Sequence, residues 1–151
     1  MFRVTKLPNG VRVATAEMPH MESVTLGVWV GIGGRYEPKR VTGISHFIEH
    51  LLFKGTVRRS ARQISQTVEG IGGYLNAFTG EENTCLYAKA SHRHLDTLLD
   101  VLSDMYLRPK FAVAMSMLCD EPDCPIRDCW KDCTRVRMLG DTPIVAGEIG
   151  A

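Results

Sequence analysis

Between Ser23 and Ile32 the chain alternates with a period of two. Val24, Leu26, Val28, Val30 and Ile32 fall on one face of an extended strand, and Thr25, Gly27 and Trp29 on the other. This predicts a central strand, after which Gly31, Gly33 and Gly34 mark a change of direction where a side chain would hinder the turn or a close backbone approach. Upstream, Leu7-Pro8-Asn9-Gly10-Val11 predicts a tight two-residue hairpin, because Asn-Gly tolerates positive φ, between strands at about 2–7 and 11–16. Downstream, a polar loop from Arg35 to Thr42 leads into a helix at about 43–53, and a basic connector, Lys54 to Arg59, follows. Ser60 and Gln63 then form a capping-box pair in front of Ile64, Val68 and Ile71 at helical spacing, with Gly70, Gly72 and Gly73 ending that helix. Tyr74 to Thr79 and Asn83 to Ala90 read as two strands joined at Gly80-Glu81-Glu82. Ser91 is the expected cap of a last helix with a stripe of Leu95, Leu98, Leu99, Leu102 and Met105, stopped by Pro109, and with His92 and His94 exposed in its first turn. This order predicts an α+β fold, a mostly antiparallel sheet with helices packed on one face.

Composition narrows the class without fixing a function. At 151 residues the chain suits one domain with a real core, and 44% hydrophobic with 23% charged residues is ordinary for a globular protein. A formal net charge of +1 offers no electrostatic case for nucleic acid or for an acidic membrane surface as partner. The N-terminal segment, Met1 to Lys6, has no long apolar stretch behind it and no transit-peptide character, so the expected location is cytoplasmic, with a mature organellar form giving a similar sequence. Of five cysteines only Cys85 lies in the patterned part, the rest crowding into 119–133, which argues for reduced thiols over a disulfide framework.

The candidate chemistry sits in His46-Phe47-Ile48-Glu49-His50. On a helix, His46 and His50 are one turn apart on one face, about 5–6 Å between Cβ atoms, which suits two imidazoles converging on one Zn2+. Glu49, three residues after His46, leans to the same side and is placed to act as a base toward a metal-bound water. A buried amphipathic helix with packed, hydrogen-bonded histidines would place the same residues in the same way. A catalytic zinc usually takes three protein ligands, and the motif supplies two.

The His-x-x-Glu-His order is the inverzincin signature. Together with the flanking Gly43-Ile44-Ser45 and Leu51-Leu52-Phe53-Lys54-Gly55-Thr56, and with Ile71-Gly72-Gly73-Tyr74-Leu75-Asn76-Ala77-Phe78-Thr79 and Glu82-Asn83-Thr84, it resembles the insulinase, or pitrilysin, family of zinc peptidases, in its processing-peptidase branch. The resemblance runs from about Leu7 to Phe111. It implies a zinc-dependent metalloendopeptidase acting on extended or unfolded polypeptides, with His46 and His50 on the metal, Glu49 activating water, and Asn76 aligning the substrate backbone along a strand edge. Without the resemblance, Asn76 reads as a turn or strand-end asparagine bonded to its own backbone.

After Phe111 the likeness fails. The family carries a third ligand, a glutamate, on a charged helix following Pro-x-Phe, here Pro109-Lys110-Phe111, whereas Pro122 and Pro125 forbid a regular helix in this chain. Glu121, Asp128 and Asp132 are the candidates for that ligand, and Glu148 lies too far along. The expected organisation is a metallopeptidase domain over 1–111 and a divergent Cys-rich tail over 112–151. Four readings compete for the tail: a shifted reading frame, first; a natural variant that completes the site; a relative that has lost its metal; and, last, a zinc knuckle, since Cys119, Cys124, Cys129 and Cys133 lack Cys-x-x-Cys pairing. The family also encloses substrate with a C-terminal half, so the resemblance implies a fragment whose missing half or partner subunit completes it, and weak activity alone. A non-catalytic scaffold or interaction subunit of the same fold is the alternative.

Overall fold

The computed structural model describes residues 2–111 and, for the backbone, 144–149. Its strands are β1 (Phe2–Lys6), β2 (Arg12–Glu17), β3 (Ser23–Val30), β4 (Tyr74–Thr79), β5 (Thr84–Ser91) and β6 (Ile144–Ile149). Its α-helices are α1 (Ile44–Leu52), α2 (Ala61–Glu69) and α3 (Leu95–Leu107). The strands form one six-stranded sheet in the order β1-β2-β6-β3-β5-β4. All pairings are antiparallel except β2 with β6. The fold is therefore α+β, as the pattern predicts.

Alternation decides which face is buried. Val24, Leu26, Val28 and Val30 lie in register with Ala90, Ala88, Leu86 and Thr84 of β5, and their common face meets the helices. Leu51, Leu52, Ile64, Val68, Leu98, Val101, Leu102 and Met105 complete that core from α1, α2 and α3. On the opposite face Trp29 meets Phe78 edge-on at 5.5 Å between ring centroids. Cys85 is buried beside this aromatic pair, and burial pushes its thiol up to about 11, so it stays protonated and inert at neutral pH.

Local signals explain most element ends. At α2, Ser60 Oγ accepts from Gln63 N–H, and the Gln63 side chain accepts from Ser60 N–H at 2.8 Å, completing the predicted capping box. The first hairpin is one residue longer than expected. Leu7 N–H bonds Val11 C=O at 2.7 Å across Pro8-Asn9-Gly10, and Gly10 takes φ 89°. Pro8 sets the first turn position and Gly10 the left-handed one, which is the three-residue form of hairpin.

Three other expectations are corrected. Ser91 makes no side-chain cap, because a short 3-10 turn (His92–His94), held by His92 N–H on Glu22 C=O at 3.0 Å, intervenes before α3. His92 and His94 are half-buried in that turn. Leu99 is 47% exposed, and Val101 takes its place in the buried stripe.

A charged network fastens the α1–α2 connector to α3. Asp104 is 0% exposed; its Oδ2 accepts from Thr56 Oγ1 at 2.6 Å and from Arg59 at 2.8 Å. Thr56 Oγ1 in turn accepts from the N–H groups of Arg58 (3.1 Å) and Arg59 (2.8 Å), and both arginines pair with Asp100.

The tip of the β4–β5 hairpin docks on the residues just after β3. Gly34 N–H bonds Gly80 C=O at 3.1 Å, Arg35 N–H bonds Glu81 C=O at 2.8 Å, and Thr84 Oγ1 donates to Ile32 C=O at 2.9 Å. A Cβ on Gly33 would overlap Gly80 C=O and lie 2.8 Å from Asn83 N, all rigid backbone. Gly33→Ala is expected to cost about 1–3 kcal/mol by overpacking, read as a lower urea midpoint. Gly31→Ala, with nothing within 4 Å of the new methyl, is the control and should leave the midpoint nearly unchanged.

Candidate metal centre

The helix that carries the motif is set by a distant side chain. Glu37 accepts from Gly43 N–H at 2.6 Å and Ser45 N–H at 2.8 Å, satisfying two free donors at the start of α1. Partial burial would raise the Glu37 carboxyl, but the bonds from Gly43 and Ser45 outweigh it and hold the group below its ordinary value. A carboxylate at a helix N-terminus also suits the helix dipole.

On this helix the sequence divides cleanly between solvent and core. His46 and His50 are exposed, while Ile44, Ser45, Glu49, Leu51 and Leu52 are buried. The two imidazoles converge, with Nε2 atoms 3.1 Å apart and ring centroids 4.5 Å apart at 64°. In complementary tautomers one ring can donate to the other. Two nitrogens bound to a tetrahedral zinc at about 2.0–2.1 Å would lie roughly 3.3 Å from each other, so the pair is nearly preformed for one ion. The two Nε2 atoms fit the metal.

Glu49, on the adjoining flank of the helix, turns into the protein. It is 8% exposed and borders a small cavity of about 40 Å³, with Val30, Ile48, Leu52, Leu86 and Tyr106 among its other walls. Its Oε2 accepts a hydrogen bond from Thr79 Oγ1 at 2.5 Å. Thr79 is the partner of Glu49 that sequence reasoning missed. The signal was present in β4, where the period of two puts Leu75, Ala77 and Thr79 on the half-buried face toward the helices.

The same alternation sends Asn76 to the opposite face. There its Nδ2 donates to the Tyr74 hydroxyl at 2.6 Å and its Oδ1 accepts from Ala77 N–H at 2.8 Å. The strand is nonetheless the sheet's outer edge, pairing only with β5 among the described residues. The structure thus brings His46 and His50 together, sets Glu49 on the adjoining flank of α1, and leaves Asn76 on a strand edge with its amide bonded locally.

No third ligand completes the site among the described residues, which hold no group of three His, Cys, Asp or Glu side chains able to share a metal. Glu121, Asp128 and Asp132 lie outside the described residues, as do the tail cysteines. The backbone of Glu148 sits on β6, opposite Ala16 and Thr25. Among the described residues no helix is long and apolar enough to cross a membrane.

Comparisons with known proteins bear on the family. The family model for Insulinase (Peptidase family M16) matches residues 12–115, a span that contains His46, Glu49, His50, Asn76 and Thr79. The chain is similar to the uncharacterized zinc protease YmxG of Bacillus subtilis, 48% identical over 103 residues, covering 68% of this chain and 25% of that protein. It is similar to an Arabidopsis thaliana protein named as a probable mitochondrial-processing peptidase subunit beta, 46% identical over 109 residues, covering 72% of this chain and 20% of that protein. An uncharacterized zinc protease of Mycobacterium leprae is 38% identical over 158 aligned positions, covering 97% of this chain and 35% of that protein. The chain thus spans between a fifth and about a third of the length of these relatives. With the converged histidines on α1 and a family match over most of its length, this chain belongs to the insulinase family of peptidases, family M16.

Proposed function

We propose that this chain is the metal-bearing portion of a zinc-dependent endopeptidase that hydrolyses peptide bonds in extended or unfolded polypeptides. The observation that carries the reading is the pair of Nε2 atoms 3.1 Å apart on α1, beside a buried carboxylate. His46 and His50 hold the ion through Nε2. Bound zinc supplies acidity to a coordinated water and polarises a carbonyl. Glu49 takes the proton of the attacking water and passes it to the leaving amine. Its Oε2 is engaged by Thr79, so among the described residues Oε1 is the oxygen left for that transfer. Asn76, on the edge strand β4, aligns the substrate, which adds to the sheet in extended form.

The third ligand in this reading comes from Glu121, or else from Asp128 or Asp132, and the rest of the substrate enclosure from a C-terminal half or partner subunit. The relatives' names support zinc and proteolysis.

Elemental analysis of wild type and of the His46→Ala, His50→Ala double variant tests the proposal. One zinc per chain in wild type and none in the variant is the expected result. Zinc that survives loss of both histidines, or a wild type that takes up none, would favour the scaffold alternative.

A further inference from the structure

We propose that Thr79 is a positioning residue for the reaction, fixing one oxygen of Glu49 so that the other is presented to water. The inference rests on the functional reading above and adds a residue to it. Glu49 lies in a largely apolar pocket with a short cavity beside it, and a carboxylate there has several rotamers to choose from. The bond from Thr79 Oγ1 to Oε2 selects one of them and removes Oε2 from competition for protons. A group held in productive geometry before substrate arrives spares the reaction that ordering cost.

The strand end that carries the hydroxyl is itself held at several points. Thr79 is paired in register with Thr84 at the end of β4, and Thr84 Oγ1 is tied to Ile32 C=O at 2.9 Å. The following residue, Gly80, gives its C=O to Gly34 N–H. Beyond that, the hairpin tip is fastened by Arg35 to Glu82 at 2.6 Å and lies so close to Gly33 that no side chain fits between them. These contacts all lie outside α1. They make β4, and not the helix's own packing, the reference frame for Glu49.

The test compares Thr79→Val, which keeps shape and loses the hydroxyl, with Thr79→Ser, which keeps the hydroxyl, in the protein carrying its full metal complement, with zinc content measured beside kcat and KM. Thr79→Val is expected to lower kcat by about 10–100-fold with KM and zinc stoichiometry unchanged, and Thr79→Ser to restore most of it. A second readout needs no turnover. The thermal-melting penalty of Thr79→Val should be present with Glu49 intact and vanish in the Glu49→Leu background.

Wild-type kcat in Thr79→Val, with Glu49→Gln inactive, overturns the positioning role and leaves the functional reading intact. Equal melting penalties in both backgrounds also overturn it, as does a Thr79→Ser variant no better than Thr79→Val. Wild-type turnover in Glu49→Gln overturns the functional reading, and the positioning role falls with it.

Discussion

Glu49→Gln is expected to abolish hydrolysis while leaving the metal in place. The amide has nearly the same shape, and its carbonyl oxygen can still accept from Thr79 Oγ1, so α1 and the converged His46 and His50 need not move. It cannot take a proton at neutral pH. Loss of the base alone should reduce turnover by about 10²–10⁴-fold. The measurement is peptide hydrolysis by the complete protein alongside zinc per chain. Wild-type turnover would show that the base lies elsewhere, whereas loss of zinc together with activity would mean that Glu49 serves the metal and not the water.

The second large effect concerns stability. Asp104→Ala should cost about 3 kcal/mol, because it leaves the largely buried Arg59 without its inner partner and strips the buried Thr56 hydroxyl of its acceptor. In a protein of this size that corresponds to a melting temperature lower by about 10 °C. Burial alone would raise the Asp104 carboxyl, but the bonds from Thr56 and Arg59 outweigh it and hold it below the usual carboxylate range. A depressed folded value means that the group stabilises the protein above the unfolded pKa of about 3.9 and ceases to as pH falls through the folded value. The gap between wild type and Asp104→Ala should therefore be widest near neutrality and close on acidification below about pH 4. Melting curves that fall in parallel over that window would remove Asp104 from the acid response. Asp100, lowered chiefly by its bond from Arg59, contributes with the same sign.

What the sequence made legible follows from the range of each interaction. The alternation from Val24 to Val30, the Ser60–Gln63 box and the one-turn spacing of His46 and His50 are all local, and all appear in the structure. Leu99 misled because a run of leucines offers two neighbouring stripes on one helix. Leu98, Val101, Leu102 and Met105, in which 98 is three and four residues from 101 and 102 and these are four and three from 105, are the set that is buried in the core. Ser91 misled because a serine before a helical pattern has the look of a cap, and only the contact of His92 with Glu22, 70 residues away, decides against it.

The contacts that shape the candidate site are of this distant kind. Glu49 finds Thr79 across 30 residues, and Thr56 finds Asp104 across 48. Periodicity turns Thr79 toward the helices but does not name its partner, since these pairings exist only once the strand order is set. The motif on α1 was thus readable one residue at a time, while its support from β4 and from Glu37 was not.

The position of β6 has a consequence for how the chain comes into being. Among the described residues, β1 and β2 meet the rest of the sheet only through this strand, which lies parallel to β2 and antiparallel to β3. A ribosome releases residues in order, so the first hairpin emerges long before the strand that joins it to its neighbours. A two-stranded hairpin is marginal by itself, and closing so long an interval is slow. Until then the nascent chain offers an open flank along β3 to any passing extended segment. Of the described strands, the latest to leave the ribosome is the one that seals the sheet.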